Sequence, residues 1–142
     1  MYALVDDFVL RIGEQESIEL TDREMVGVVD EATLEVALAD SSSQIDGYLS
    51  GRYRLPLKTV PQNLKRICCD LARYHLTSKS LVTMTEEVEN RYKLCLKELE
   101  NISKGVVSLA VDETNEEESA TGENTVQFFN GGNRIWGVIS DD

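Results

Sequence analysis

Residues 30–52 read DEATLEVALADSSSQIDGYLSGR. Leu34, Leu38, Ser41, Ile45, Tyr48 and Arg52 recur at spacings of 4, 3, 4, 3 and 4, with Leu49 beside them. That period lines them along one side of a long helix. Asp30 stands where an N-cap belongs, and its short carboxylate suits the orphan amides of a first turn. Ser41, Ser42 and Ser43 break the apolar stripe with small side chains. Gly47 costs a helix interior about 1 kcal/mol relative to Ala. Both features predict the close approach of a neighbouring helix.

The flanking sequence supplies the neighbours. Leu55-Pro56-Leu57-Lys58-Thr59-Val60-Pro61 holds both prolines of the chain and reads as a connection, because each proline biases its predecessor away from helix. Thr59 and Gln62 have capping-box spacing and open a helix that carries Leu64, Ile67, Cys68, Leu71, Tyr74 and His75 on one face and ends near Lys79. Thr83 and Glu86 repeat the spacing before Val88, Tyr92, Cys95, Leu99 and Ile102, and Gly105 closes that helix. Upstream, Leu4, Phe8 and Ile12 mark a short helix with Asp6 and Asp7 in its first turn, where the helix dipole favours negative charge, and Gly13 as its stop. No regular element is assigned to residues 14–29. The expectation is an all-α chain with a four-helix, bundle-like body over residues 1–111.

Beyond Gly105 the helical period disappears. Val106, Val107, Leu109 and Val111 suit an extended segment. Residues 112–123 hold six acidic side chains and no basic one, a composition that reads as a flexible acidic linker. Residues 124–142 form an apolar, β-prone arm: Val126-Gln127-Phe128-Phe129, then Asn130-Gly131-Gly132-Asn133, then Arg134-Ile135-Trp136-Gly137-Val138-Ile139. Two short runs about a Gly-Gly turn fit a hairpin. The arm carries two of the three Phe and the only Trp, so Phe128, Phe129, Arg134, Ile135 and Trp136 are the candidate partner-binding residues. Two placements are open to it: against its own helices, or on a neighbouring subunit or another protein, for instance by adding a strand to an exposed sheet edge.

Charge narrows the function. The 142 residues carry 26 acidic and 14 basic side chains, a net of −12. Residues 1–111 account for 18 acidic and 13 basic; residues 112–142 hold eight acidic and one basic. Binding nucleic acid requires phosphates to be neutralised by Lys and Arg, so this balance argues against sequence-specific nucleic-acid binding, and equally against anionic membranes. No apolar run approaches the roughly 20 residues needed to cross a bilayer, and Met1-Tyr2-Ala3-Leu4-Val5-Asp6-Asp7 does not read as a secretory signal.

Candidate chemistry is sparse. Cys68, Cys69 and Cys95 are odd in number, with two adjacent, and read as small core residues rather than a disulfide framework. Cys68, His75 and Cys95 would approach one another if their helices pack antiparallel, yet there is no CxxC and no second His, so a metal site and a Cys–His nucleophile are both disfavoured. There is no Gly-rich phosphate loop, and residues 112–118 lack the ligand spacing of a calcium loop. No cofactor is expected. Four charged residues stand at the apolar faces of the two central helices: Asp46 and Arg52 on one, Asp70 and Arg73 on the other. An interhelical Asp–Arg network among them would satisfy the charges and set register.

The segments Ile45-Asp46-Gly47-Tyr48-Leu49, Gly51-Arg52-Tyr53-Arg54-Leu55-Pro56-Leu57 and Asp70-Leu71-Ala72-Arg73-Tyr74-His75-Leu76 resemble a family of proteins from Mu-like phages and prophages. Tyr2, Asp7, Arg11-Ile12-Gly13 and Leu20-Thr21-Asp22-Arg23 fit the same pattern, in the same order, so the resemblance spans about residues 1–109. It is similar to the helical head–tail adaptors of tailed phages. The resemblance implies a virion structural protein with no catalytic residue, assembled as a ring between portal and tail-completion proteins, made in the host cytoplasm and monomeric before assembly. The family's short basic–aromatic ending is reduced here to Arg134 and Trp136, before Asp141-Asp142. An acidic surface would also let DNA slide through such a ring without sticking. The alternative is an acidic DNA mimic that occupies a DNA-binding protein, which the charge supports and the aromatic arm does not.

Overall fold

A computed structural model describes residues 1–109. The linker over 112–123 and the arm over 124–142, with its hairpin, lie outside the described residues. Those described form a main unit, residues 1–51 and 60–109, while residues 52–59 belong to a second unit. The latter run through bends and turns with a cis Leu55–Pro56 peptide.

The described chain is all-α. Five helices follow one another: α1 (Val5–Ile12), α2 (Glu14–Thr21), α3 (Glu31–Leu49), α4 (Gln62–Lys79) and α5 (Glu86–Ser103), with no strand among the described residues. The extended segment expected from Val106 is therefore not a strand as far as Leu109; the amides of Val106 and Val107 instead turn back to the carbonyl of Asn101. α3, α4 and α5 pack mutually, and α1 and α2 lie against both α3 and α4 and against each other. α3 and α4 are thus the two helices that each touch the other four.

Gly13 does stop α1, at φ 105°, a left-handed conformation that glycine adopts without penalty. The chain then restarts at once: the carbonyl of the same glycine accepts from Ser17 N at 3.0 Å, and α2 begins. Sequence periodicity missed α2 because two of its inward residues are hydroxyls. Ser17 and Thr21 are fully buried with Leu20, and each donates to the carbonyl four residues earlier, Ser17 to Gly13 at 2.6 Å and Thr21 to Ser17 at 2.8 Å. The helix buries one face without an apolar stripe.

In α3, Asp30 caps as expected, accepting from Thr33 N at 3.3 Å. Leu34, Leu38, Ile45 and Leu49 are fully buried. Each such side chain contributes about 1.5–3 kcal/mol relative to exposure. Helix ends at Leu49, so Arg52 lies beyond it rather than on the stripe; Gly51 and the prolines after it do not sustain helix. The small-residue expectation divides. Ser42 does admit a close neighbour, since its hydroxyl accepts from Tyr2 N at 3.0 Å and sits 3.5 Å from the Cys68 sulfur of α4. Gly47, by contrast, is exposed, and a Cβ there would meet nothing within 4 Å, so no tight crossing explains it.

The caps of the last two helices fall later than spacing suggests. α4 starts behind Pro61, whose carbonyl accepts from Lys65 N at 3.2 Å, without a Thr59 box. α5 is capped by Thr85, which accepts from Val88 N at 3.3 Å, rather than by Thr83. Glu86, Glu87 and Glu89 then complement its dipole.

Candidate assembly interface

Thr21, Asp22 and the residues after them turn the chain from α2 into α3, and side chains fix the turn. The two carboxylate oxygens of Asp22 accept from Val26 N at 2.9 Å and Gly27 N at 2.6 Å, and Thr21 Oγ1 accepts from Asp30 N at 3.0 Å. Met25 is held at φ 60°, uncommon for a residue with a side chain, and Gly27 at φ 98°. The tethered bend exposes Met25 at 85%, Val26 at 68% and Val28 at 60%. Three neighbouring apolar side chains on an ordered bend suit contact with another protein. Beside the bend, a cleft of about 240 Å³ lies between α3 and α4, lined by Val36, Ala37 and Leu76 with Arg23, Asp40 and Lys79.

The polar residues singled out from the sequence take several partners. Asp46 is half-buried and accepts from the hydroxyl of Tyr2. Burial first, and then the anionic acceptor, push that phenol's pKa above its usual value. Asp70 is buried; the Cys95 thiol donates to it at 3.7 Å, and the Arg66 guanidinium forms an ion pair with it at 3.9 Å. Arg66 also reaches Glu98 of α5 at 2.8 Å. Arg73 donates to Glu16 of α2 at 2.7 Å and faces Glu87 of α5 at 3.4 Å, where Arg91 also arrives at 2.9 Å. Arg52 lies in the 52–59 unit. Tyr2, Glu16 and Glu87 are partners that helical periodicity alone did not name: Tyr2 precedes α1, and Glu16 belongs to the short α2.

The candidate reactive groups are dispersed. Cys68 donates to the carbonyl of Leu38 at 3.8 Å, Cys95 faces Asp70, and His75 Nε2 meets the amide oxygen of Gln44 at 3.0 Å. Gln44 in turn donates to the Tyr92 hydroxyl at 3.2 Å, and Tyr92 stacks on Tyr74 with ring centres 3.8 Å apart. Burial pushes all three thiols up, Cys69 and Cys95 to about 12, so the reactive thiolate is suppressed. Among the described residues no group of three His, Cys, Asp or Glu is placed to hold a metal ion, and no helix is long and apolar enough to cross a membrane. The described surface offers features suited to contact with another protein.

Comparison with known proteins fits that surface. Residues 2–128 match the family described as Bacteriophage Mu, Gp36. The chain belongs to the phage Mu Gp36 family. One Gp36 relative, the Mu-like prophage FluMu protein gp36 of Haemophilus influenzae, is 38% identical over 109 residues, covering 77% of this chain and 73% of the relative. Another, Gene product J of Escherichia phage Mu, is 37% identical over 127 residues, covering 89% and 87%. The Gp36 match runs past Leu109 into the acidic segment, so the family pattern includes more than the helical body.

Proposed function

We propose that this chain is a virion structural protein, not an enzyme, that joins the phage head to the tail. The observation that carries this reading is membership of the Mu Gp36 family over residues 2–128. The all-α body and the apolar bend after α2 support it, because a joining protein works through surfaces. Copies assemble as a ring that extends the DNA channel between the portal and the tail-completion proteins. Rings arise when one surface of a subunit meets a different surface of the next. Assembly takes place in the host cytoplasm from subunits that are monomeric beforehand, and the product is a virion component.

Within that reading, α1, α3, α4 and α5 supply the bundle-like adaptor body, and residues 112–123 tether the arm of residues 124–142. The arm pairs as a short hairpin and binds a neighbour through Phe128, Phe129, Arg134, Ile135 and Trp136. Asp46, Arg52, Asp70 and Arg73 have a structural role only. No cofactor, membrane or specific DNA sequence enters the mechanism. A chain ending at residue 123 tests it. The expected result is a body with unchanged helix content, together with heads and tails that accumulate unjoined. Infectious particles at the normal titre would overturn the arm's role.

A further inference from the structure

Head–tail joining by the arm and the apolar bend leaves the cleft beside that bend without a role. Its volume of about 240 Å³ falls below the roughly 300 Å³ at which small-molecule sites begin, so it fits a large protein side chain better than a metabolite. Its uncharged walls are the apolar Val36, itself 60% exposed, Ala37 and Leu76, together with the polar Thr33 and His75. Its charged lining is Arg23 and Lys79 against Asp40, and Asp30 also lies in the field of Arg23. Two cations to one anion in the lining reverses the balance of the body, where acidic side chains outnumber basic ones 18 to 13 over residues 1–111. An occupant should therefore combine an apolar ring with negative charge.

One segment of this chain has that composition. Phe128 and Phe129 follow six acidic residues in 112–123, and residues 112–142 hold eight acidic side chains against one basic. Chain length permits docking on either copy, and ring assembly, in which one surface meets a different surface of the next subunit, favours a second one. The cleft lies at the end of α4, where α5 begins; α5 then runs 18 residues away from it, about 27 Å at 1.5 Å per residue. Val106 and Val107 are tied to Asn101 at that far end. From Leu109 to Phe128 the chain spans up to about 60 Å at roughly 3.3 Å per residue, enough to reach a neighbouring subunit.

The geometry points to this cleft as the receptor for Phe128 or Phe129 of a neighbouring copy, with Arg23 and Lys79 facing the acidic residues that precede them. The inference rests on the arm-docking reading above and names its partner surface. Arm and cleft are different surfaces, so each copy would grip the next in one direction, the contact a closed ring requires.

Particles assembled with the full-length chain carrying Val36→Cys and Gln127→Cys test the assignment, after oxidation and a non-reducing gel. A second preparation replaces Gln127→Cys with Asn130→Cys, so that either flank of the Phe pair is sampled. Val36 is exposed, and the three native thiols are buried and common to every sample. A ladder of dimers and larger multimers, absent from each single variant, is expected. No multimer in either preparation overturns the assignment, and so does a monomer closed on itself. Head–tail joining is scored on the same particles: joined particles without a ladder remove the cleft alone. Normal joining by the chain ending at residue 123 removes the arm-docking reading itself.

Discussion

The guanidinium of Arg73 donates to the carboxylate of Glu16 at 2.7 Å. The same group faces Glu87 at 3.4 Å, so one side chain of α4 bridges α2 and α5, two helices that do not pack on each other among the described residues. Arg73 is only 15% exposed, while Glu87 is 55% exposed. The Glu16 arm of the bridge is the better shielded and should carry most of the stabilisation. Arg73→Ala should lower stability by about 1–2 kcal/mol in urea unfolding at pH 7. Arg73→Lys should recover only part, because an ammonium cannot present a planar fork to two carboxylates. A loss under about 0.3 kcal/mol, within the range of an ordinary surface change, would show the bridge to be incidental.

The same bridge predicts an acid limb. Hydrogen bonds from Arg73 and Arg91 hold the Glu87 carboxyl below its ordinary value of 4.5. A carboxyl whose folded value is depressed adds stability that is fully present above 4.5 and is lost as pH falls through the folded value. The difference between wild type and Arg73→Ala should therefore be constant at neutral pH and narrow below 4.5, which urea midpoints across pH 3–7 would follow. A difference that stayed constant to pH 3 would contradict it.

His75 gives a second window. Burial, with Lys79 nearby, pushes its pKa below the ordinary 6.5, against a smaller opposing effect of Asp40. The folded protein resists taking up this proton and the unfolded chain does not, so stability should decline as pH falls from 6.5 through the folded value. Replacing His75 with Gln should remove that step while leaving the Glu87 limb. Equal slopes for the two proteins between pH 5 and 6.5 would disprove the assignment.

Gly47 should tolerate more than its sequence context suggests. It lies inside α3 in open space, with nothing within 4 Å of where a Cβ would stand. Gly47→Ala should therefore raise stability by about 0.5–1 kcal/mol, from helix propensity and reduced unfolded-state freedom. Thermal unfolding would register this as a higher midpoint; a lower one would mean that the added methyl group is not free of neighbours in the folded subunit.

The three thiols should be inert in the folded subunit. All are buried, and Cys69 and Cys95 are pushed up to about 12. Iodoacetamide at pH 8 should label none of them within the time that fully labels a urea-unfolded sample. Rapid labelling of one native thiol would place it at a surface.

The legible part of this fold was the part written in aliphatic residues. Leu34, Leu38, Ile45 and Leu49 announced α3, and Leu64, Ile67 and Leu71 announced α4, because each is buried at helical spacing. α2 escaped since Ser17 and Thr21 fill its inward face with self-satisfied hydroxyls. The candidate interface was harder still. Leu20-Thr21-Asp22-Arg23 was legible as part of a family pattern, but a carboxylate that captures amides four and five residues ahead leaves no periodic trace. Charge partners were the least readable: nothing in spacing links Arg73 to Glu16, 57 positions away.

The hold of Asp22 on the amides of Val26 and Gly27 bears on how fast a partner could be caught and released. Because the bend is set when the subunit folds, an incoming surface meets Met25, Val26 and Val28 on a stiff platform and freezes little main chain on arrival. Capture there would resemble a latch closing on a rigid catch, quick to engage, with its tenacity governed by how well the side chains fit. Replacing that aspartate would soften the catch without removing a single apolar contact.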